Sequence, residues 1–302
     1  MNDNARWVRT YGTAADGAFQ VSITDAVPGW AHTSLRVATL EPYAQVELDT
    51  GDSEVIVVPL AGGADLVVAD HEGRRHEVRL AGRESVFAGP TDVAYVGKGS
   101  RLTVGAGDCP AKIALCGAKA AQPLPFRHVA AAEVPVELRG AGTASREVRN
   151  FGVPQVLDAD SIIACEVITP AGNWSSYPPH KHDEERDGVE TELEEIYYFE
   201  VRAEPGAPGG ADAVAYQRVY GTAERPIDVF AEVRTGDVVL VPHGWHGPAM
   251  APPGYDLYYL NVMAGPGATR AWLICDDPAH GWVRRTWAGQ DVDPRLPMGG
   301  AR

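Results

Sequence analysis

Residues 175–200, SSYPPHKHDEERDGVETELEEIYYFE, decide the fold together with residues 236–248, GDVVLVPHGWHGP. The first stretch carries His180 and His182 one residue apart and ends in an apolar run. Side chains two positions apart on a β-strand point to the same face, so these two imidazoles are expected to converge. The second stretch is a valine-rich run that is followed by a third imidazole, His246. This spacing predicts a metal site within a β structure.

A carboxylate is expected to complete the site, and Glu194 and Glu195 both open the next predicted strand. Polarity does not decide between them, because both faces of that strand mix polar and apolar residues. A weak internal repeat favours Glu195, since aligning DSEVIVVPL with LEEIYYFEV places Glu54 opposite it. Three histidines and a glutamate give a nitrogen and oxygen donor set that suits Zn, Mn, Fe, Co or Ni. The predicted ligands are His180, His182, Glu195 and His246.

The rest of the sequence predicts many short strands. Runs rich in valine, isoleucine and tyrosine are bounded by glycine, proline or aspartate, and helical periodicity is rare. The chain also has 33 glycines and 23 prolines, which suits a turn-rich all-β protein. A repeat of roughly 140 residues, used twice, fits its 302 residues. We place the join in the segment 121–145, which is rich in proline, alanine and glycine.

Composition excludes several classes of partner. The chain has 26 Lys and Arg against 41 Asp and Glu, a formal net charge of −15. This charge argues against a nucleic-acid binder and against attraction to an anionic membrane surface. The first ten residues lack the apolar region of a signal peptide, and no apolar run is long enough to span a bilayer. The 4 cysteines form no C-x-x-C pair, so we predict reduced thiols in a cytoplasmic protein.

The two histidine stretches resemble the two motifs of the cupin superfamily, in the forms H-x-H and G-x5-P-x-G-x-H. More closely, the chain resembles the 5-deoxyglucuronate isomerase family of myo-inositol catabolism, a bicupin family. The stretches that carry this resemblance are RGAGTASREVRNF, SSYPPHKHD, LEEIYYF, YQRVY, GDVVLVPHGWH, GYDLYYLNVMAGP and DPAHGW. It implies two cupin barrels (double-stranded β-helices, or jelly rolls) in tandem. Residues 1–125 would form a degenerate barrel without metal, and residues 126–302 the metal-binding barrel.

The motifs depart from the usual cupin pattern in two ways. Glu195 follows His182 by thirteen positions, where four or five are usual, so the turn between them is expected to be enlarged. The first half has no histidine in PYAQVELDTGDSE or in GPTDVAYVGKG, where its two motifs would lie. Glu54 is the one candidate ligand left at these positions, and one carboxylate cannot hold a metal. We therefore expect a metal-free barrel used for packing and oligomerisation.

The resemblance implies an aldose–ketose isomerase that converts 5-deoxy-D-glucuronate to 2-deoxy-5-keto-D-gluconate. A divalent metal, Zn or Mn before Fe, Co or Ni, would stabilise the enediolate as a Lewis acid. The implied partner is a small sugar acid, and a homo-oligomer is expected. Two alternatives stay open: an Fe(II) oxygenase that uses the same ligands, and a non-catalytic sugar-binding cupin.

The substrate's carboxylate needs a local cation, because the protein as a whole is acidic. We predict Arg218, in the strand YQRVY, since a guanidinium can bind a carboxylate with two parallel hydrogen bonds. Arg149 is the next candidate. Lys181 ranks lower, because it lies between two predicted ligands and should point away from the metal.

The remaining catalytic candidates lie on predicted strands of the second half. Tyr259 and Tyr197 are candidate proton donors near strand ends. Gln217 and Asn261 are candidates for hydrogen bonds to substrate hydroxyls. Of these, Tyr259 and Gln217 join Arg218 as the predicted catalytic residues.

Overall fold

The computed structural model describes residues 2–299, and these are almost entirely β-structure. The strands that precede residue 130 are β1 (Val8–Arg9), β2 (Val21–Ile23), β3 (Thr33–Leu40), β4 (Gln45–Asp49), β5 (Ser53–Ala69), β6 (Arg75–Arg83), β7 (Val93–Val96), β8 (Arg101–Gly105), β9 (Ala111–Lys119) and β10 (Arg127–Val129), and all but β1 belong to the first half. Those of the second half are β11 (Val136–Arg139), β12 (Arg146–Gly152), β13 (Ile163–Thr169), β14 (Trp174–Ser175), β15 (His180–Lys181), β16 (Glu194–Ala203), β17 (Ala215–Tyr220), β18 (Asp228–Val233), β19 (Val238–Val241), β20 (Trp245–Met250), β21 (Tyr255–Ala264) and β22 (Cys275–Asp276).

Helical structure is limited to short segments. One α-helical turn, α1, spans Asn4–Trp7, and the 3₁₀ turns are Val86–Ala88, Ala131–Glu133, Gly142–Ala144 and Gly281–Trp287. Within the described residues, no helix has the length and apolar character needed to cross a bilayer. The all-β class predicted from the strand-like runs is therefore confirmed.

The second half is built from two sheets. One has seven strands in the order β1-β19-β16-β21-β13-β12-β11, and the other runs β18-β17-β20-β15-β22 with β14 beside β20. Each pair of neighbouring strands in these sheets is antiparallel. His182, directly after β15, and His246 on β20 of the smaller sheet both meet Glu195 on β16 of the larger one, so the interior of this barrel lies between the two sheets.

The first half also has two sheets, but they share one strand. A single 17-residue strand, β5, belongs to both of its sheets: its first part pairs with β7 and β9, and its last part with β6 and β8. The change of sheet occurs where the register shifts, between Pro59 and Gly62. Gly62 has φ +73°, and a Cβ there would lie 2.5 Å from the carbonyl oxygen of Pro110, so the bend requires glycine.

Strand pairing assigns the two ends of the first half differently from the predicted division at residue 125. β10 pairs with β7, so residues 127–129 belong to the first half. β1 pairs with β19, so the segment 2–11 lies against the second half instead. Asn4 anchors this segment through reciprocal hydrogen bonds with the backbone of Phe230, at 2.7 and 3.0 Å.

The two halves share a continuous apolar core. β3 and β9 of the first half lie against β16 and β21 of the second, and one buried cluster includes side chains from both. Two carboxylates also bridge the halves reciprocally. Glu54 accepts hydrogen bonds from three consecutive backbone N–H groups of residues 160–162, at 2.7–2.9 Å. Glu194 accepts three from residues 31–33, at 2.6–3.1 Å.

Candidate metal centre

Three buried histidines converge between β15 and β20. His180 faces His246 in the strand register, and His182 follows β15 directly. The imidazole centroids of His180 and His246 lie 4.4 Å apart, and those of His182 and His246 lie 4.6 Å apart. One ring nitrogen from each histidine lies within 4.8 Å of the others. This spacing allows all three nitrogens to bind one ion.

Glu195, the second residue of β16, joins the histidines from the opposite sheet. Its Oε2 lies 3.1 Å from Nε2 of His182 and 3.1 Å from Nε2 of His246. The Nδ1 atoms of these histidines lie 3.1 Å from the carbonyl oxygens of Leu193 and Gly244. A carbonyl only accepts hydrogen bonds, so we assign the ring proton to Nδ1, which leaves the Nε2 lone pair directed at the cluster.

The electrostatics of the cluster match what a divalent cation requires. Burial on its own would raise the pKa of Glu195, but the adjacent imidazoles of His182 and His246 outweigh it and lower this pKa to about 2. Burial, followed by the neighbouring His246 and His182, lowers the pKa of His180 well below its usual value. Nε2 of His246 is buried, and apart from its 3.1 Å approach to Glu195 Oε2 it has no polar partner among the described residues. Glu195 and His180 therefore have the ionised and neutral states that a bound metal ion requires, whereas the contact with Glu195 outweighs burial and raises the pKa of His182, whose proton a metal would have to displace.

The structure corrects the reason for choosing Glu195 over Glu194. Glu54 faces Ala118 on β9 in the register at which Glu194 faces Ala264 on β21. Glu54 therefore corresponds to Glu194, and the repeat alignment was wrong by one residue. Since neighbouring strand residues point to opposite faces, Glu194 is directed at the first half and Glu195 at the histidines.

Three of the four corresponding positions of the first half carry hydrocarbon side chains. Val55 corresponds to the glutamate that joins the histidines, because it is paired with β7 as that glutamate is with β19. Leu48 and Leu102 face each other across β4 and β8, as the histidines do across β15 and β20. Val55 and Leu102 belong to the apolar core of this barrel, and Leu48 packs against it. The expectation of a metal-free first half stays a prediction, now with this chemical reason.

A cavity of about 550 Å³ opens above the cluster. His180 and Glu195 line it on the side of the histidine cluster. The other polar and aromatic side chains that line it are Glu137, Arg139, Arg146, Ser176, Tyr197, Tyr259, Asn261, Trp272, Arg284 and Trp287. The cavity therefore combines a candidate metal site, hydrogen-bond donors and three guanidinium groups.

Tyr259, Tyr197 and Asn261 all line this cavity. The hydroxyls of the two tyrosines both lie 3.2 Å from Oγ of Ser176. Burial raises the pKa of Tyr259 to about 12, so its phenol is neutral at physiological pH. Nδ2 of Asn261 is buried without a hydrogen-bond partner among the described residues, so it is free to bind a ligand.

Arg218 and Gln217 are placed outside the lining of this cavity. Arg218 points away from the barrel interior, and its Nη1 donates to Asp228 Oδ1 at 2.5 Å and to the Val229 carbonyl at 2.8 Å. Gln217 points inward and is fully buried, with both polar atoms unpartnered among residues 2–299. Alternation along β17 separates the two side chains, as the sequence suggested, but the face that carries Arg218 is the outer one.

The other two cation candidates are also engaged elsewhere. Nζ of Lys181 binds Asp183 at 2.5 Å and Glu190 at 2.9 Å. Arg149 is fully buried at the contact between the halves, where Nη1 donates to the carbonyl oxygens of Val86 and Gly89. None of the three predicted cations therefore reaches the cavity.

Sequence reasoning missed the arginines that do line the cavity. Arg146 and Arg149 lie three positions apart on β12, so their side chains point to opposite faces of the sheet. Arg146 shares a face with Val148, which also lines the cavity. Alternation separates Arg146 from Arg149 in the sequence itself, but only the position of the strand in the sheet shows which face borders the cavity.

Comparisons with known proteins agree with this arrangement. Residues 7–283 match the KduI/IolB family. A protein of Geobacillus kaustophilus (strain HTA426) named 5-deoxy-glucuronate isomerase is 40% identical over 263 residues, which cover 87% of this chain and 90% of that protein. The protein of the same name from Bacillus subtilis (strain 168) is 40% identical over 262 residues, covering 86% and 91%.

Solved structures give the same result for the fold. An IolB-like protein from Salmonella typhimurium LT2 superposes with a TM-score of 0.80 and 33% identity, covering 92% of this chain and 98% of that one. The oxalate decarboxylase of Lactobacillus farciminis, solved as a formate complex, superposes with a TM-score of 0.63 at 14% identity, covering 89% and 88%. The predicted tandem cupin fold and the isomerase class are confirmed. The chain belongs to the KduI/IolB family.

Proposed function

We propose that this protein is a metal-dependent isomerase that converts 5-deoxy-D-glucuronate to 2-deoxy-5-keto-D-gluconate. The observation that carries the proposal is the cluster of three histidines and Glu195 beside a cavity of sugar size. The names of the curated relatives support the substrate, since these proteins are about 40% identical over most of their length.

The residues that would hold the metal are His180, His182, Glu195 and His246. Their nitrogen and oxygen donors suit Zn or Mn first, and Fe, Co or Ni as alternatives. A bound divalent ion would supply a Lewis acid for the negative charge that develops on the enediolate oxygens.

The chain's own side chains supply hydrogen bonds around the reacting carbons. The reaction removes a proton from the carbon next to the aldehyde and delivers one to the aldehyde carbon. Tyr259 is neutral at physiological pH, so it donates a hydrogen bond to a substrate oxygen instead of accepting a proton from carbon. Asn261 Nδ2 and Trp272 Nε1 are buried without partners in the described chain, and each can donate to a sugar hydroxyl.

Metal analysis combined with an isomerase assay tests the proposal. We expect about one divalent ion per chain in the purified protein, and we expect turnover of 5-deoxy-D-glucuronate to disappear on chelation and return when metal is restored. Unchanged turnover by the metal-stripped protein would contradict the metal dependence. Absence of turnover by the fully loaded protein would contradict the isomerase assignment itself. Oxygen uptake on loading with Fe(II) would favour the oxygenase alternative.

A further inference from the structure

Arg146 is a buried cation in the cavity that no carboxylate of residues 2–299 neutralises. It is 8% exposed, and its guanidinium donates one hydrogen bond, from Nη1 to the carbonyl oxygen of Ala144 at 3.1 Å. The ring of Trp287 lies beneath it, 5.7 Å from the guanidinium carbon. A buried charge without a partner is costly, and an anionic ligand bound beside Arg146 would offset that cost.

The neighbouring arginines differ from Arg146 in this respect. Nη2 of Arg139 binds Glu137 at 2.8 Å, and Arg284 binds Asp276 through two hydrogen bonds of 2.5 and 2.6 Å. Their charges are thus already balanced by protein carboxylates. Among the described residues that line the cavity, Arg146 is therefore the guanidinium left without a carboxylate partner.

The position of Arg146 adds to its cost. Arg139 and Arg146 face each other directly across β11 and β12. Like charges in directly opposed positions destabilise a sheet. Burial, together with the charges of Arg139 and Arg284, lowers the pKa of Arg146 to about 10, so it stays protonated at physiological pH while an anion is lacking. An anionic ligand would offset both the cost of burying the Arg146 charge and its repulsion by Arg139.

We propose that Arg146 binds the carboxylate of the sugar acid and so directs the opposite, aldehyde end of the substrate toward His180 and Glu195. This inference rests on the proposed function for the identity of the substrate. Its geometric basis is that all three residues line one cavity. The guanidinium fork matches a carboxylate with two parallel hydrogen bonds, which a neutral sugar cannot offer.

A matched pair of unreactive ligands tests the carboxylate site without relying on turnover. D-gluconate and sorbitol differ at one terminal carbon, which is a carboxylate in the first and a hydroxymethyl group in the second. Calorimetry on the metal-stripped protein avoids chelation of a bound ion by the acid. We expect gluconate to bind about ten- to a hundredfold more tightly than sorbitol, the ratio that a charge-assisted hydrogen-bonded pair provides.

Variants then assign that preference to a residue. Arg146→Gln should remove most of the preference for gluconate, and Arg146→Lys should keep part of it, because an ammonium is a point charge without the planar fork. Arg218→Gln should leave the preference unchanged, since that side chain lies outside the cavity. Arg79→Gln is the control for the loss of any one arginine, because Arg79 belongs to an exposed ion pair in the first half.

The kinetic counterpart separates this inference from the proposed function. In the metal-loaded protein, Arg146→Gln should raise KM for 5-deoxy-D-glucuronate and erase its advantage over a neutral 5-deoxyhexose. If Arg146→Gln keeps the preference for the acid in both assays, the inference is wrong while the isomerase assignment stands. If the unmutated protein does not turn over the sugar acid, the isomerase assignment fails, and the gluconate experiment still decides the role of Arg146.

Discussion

Two adjacent carboxylates, Glu194 and Glu195, have opposite roles because successive strand residues point to opposite faces. Glu195 enters the barrel interior and meets two imidazoles at 3.1 Å. Glu194 points away from the barrel interior and accepts hydrogen bonds from backbone N–H groups of the first half and from the Thr33 hydroxyl, the last at 2.9 Å. One residue is expected to serve the chemistry and the other the joining of the two halves.

Replacing each carboxylate by its amide separates these roles. Glu195→Gln should lower metal affinity more than about tenfold and abolish turnover, because a charged ligand is lost. Glu194→Gln should keep the metal but lower the free energy of unfolding by about 2–3 kcal/mol, since its amide group would face N–H donors. Metal content by mass spectrometry and urea unfolding measure the two effects. The opposite order, with metal lost only in Glu194→Gln, would show that the wrong carboxylate was assigned to the cluster.

At the scale of strands and loops, the sequence predicted which segments are strands better than it predicted which way their side chains face. Short runs of valine, isoleucine and tyrosine indicate β5, β16 and β21 directly. Which face of a strand borders the core or the cavity depends on its pairing with distant strands, and the local sequence does not show that pairing. A slip of one residue in the repeat therefore made Glu195, and not Glu194, the counterpart of Glu54. The same uncertainty hid Arg146.

The strand β1 is the element that sequence reasoning missed most fully. Two residues, Val8 and Arg9, give no periodic pattern, and their partner strand β19 lies more than 200 positions further along the chain. Trp7, just before them, is buried and lies 6.5 Å from the ring of Trp30. Nothing local in the sequence indicates these contacts.

Trp7 belongs to the buried cluster that both halves share, so it should stabilise the protein as a whole. Trp7→Ala should lower the free energy of unfolding by about 3–5 kcal/mol, the usual cost of removing a large buried aromatic side chain. Chemical denaturation measures this loss, and Tyr11→Ala is a suitable control because the Tyr11 side chain is exposed. A loss below about 1 kcal/mol for Trp7→Ala would mean that the segment contributes little to the fold.

At the scale of the whole molecule, the two barrels are joined by a contact that repeats with approximate two-fold symmetry. Glu54 reaches residues 160–162 and Glu194 reaches residues 31–33, and each carboxylate accepts three successive backbone N–H groups. These segments occupy corresponding places, directly before and at the start of β13 and β3. The apolar core is continuous between these two bridges. We therefore expect the halves to unfold as one unit.

Removing both bridges tests this coupling. Glu54→Gln and Glu194→Gln should each lower the melting temperature, and their free-energy losses should add because the two sites share no partner. In the double variant, calorimetry should show the single transition broaden or divide into two, one for each barrel. Glu72→Gln, at an exposed turn of the first half, is the control. An unchanged, single sharp transition in the double variant would show that the apolar contact alone couples the halves.

The pairing of β1 with β19 can form only late in synthesis of the chain. The ribosome makes Val8 long before its partner Val239, which lies 231 positions further along the chain. At about 5–20 residues per second, this delay is roughly 10–50 s. During that interval the first half can close around its own apolar interior, while the leading segment with Trp7 has no sheet edge to join. A segment translated before the first barrel is thus among the last to reach its final place, and it covers the edge of β19 once the second barrel has formed.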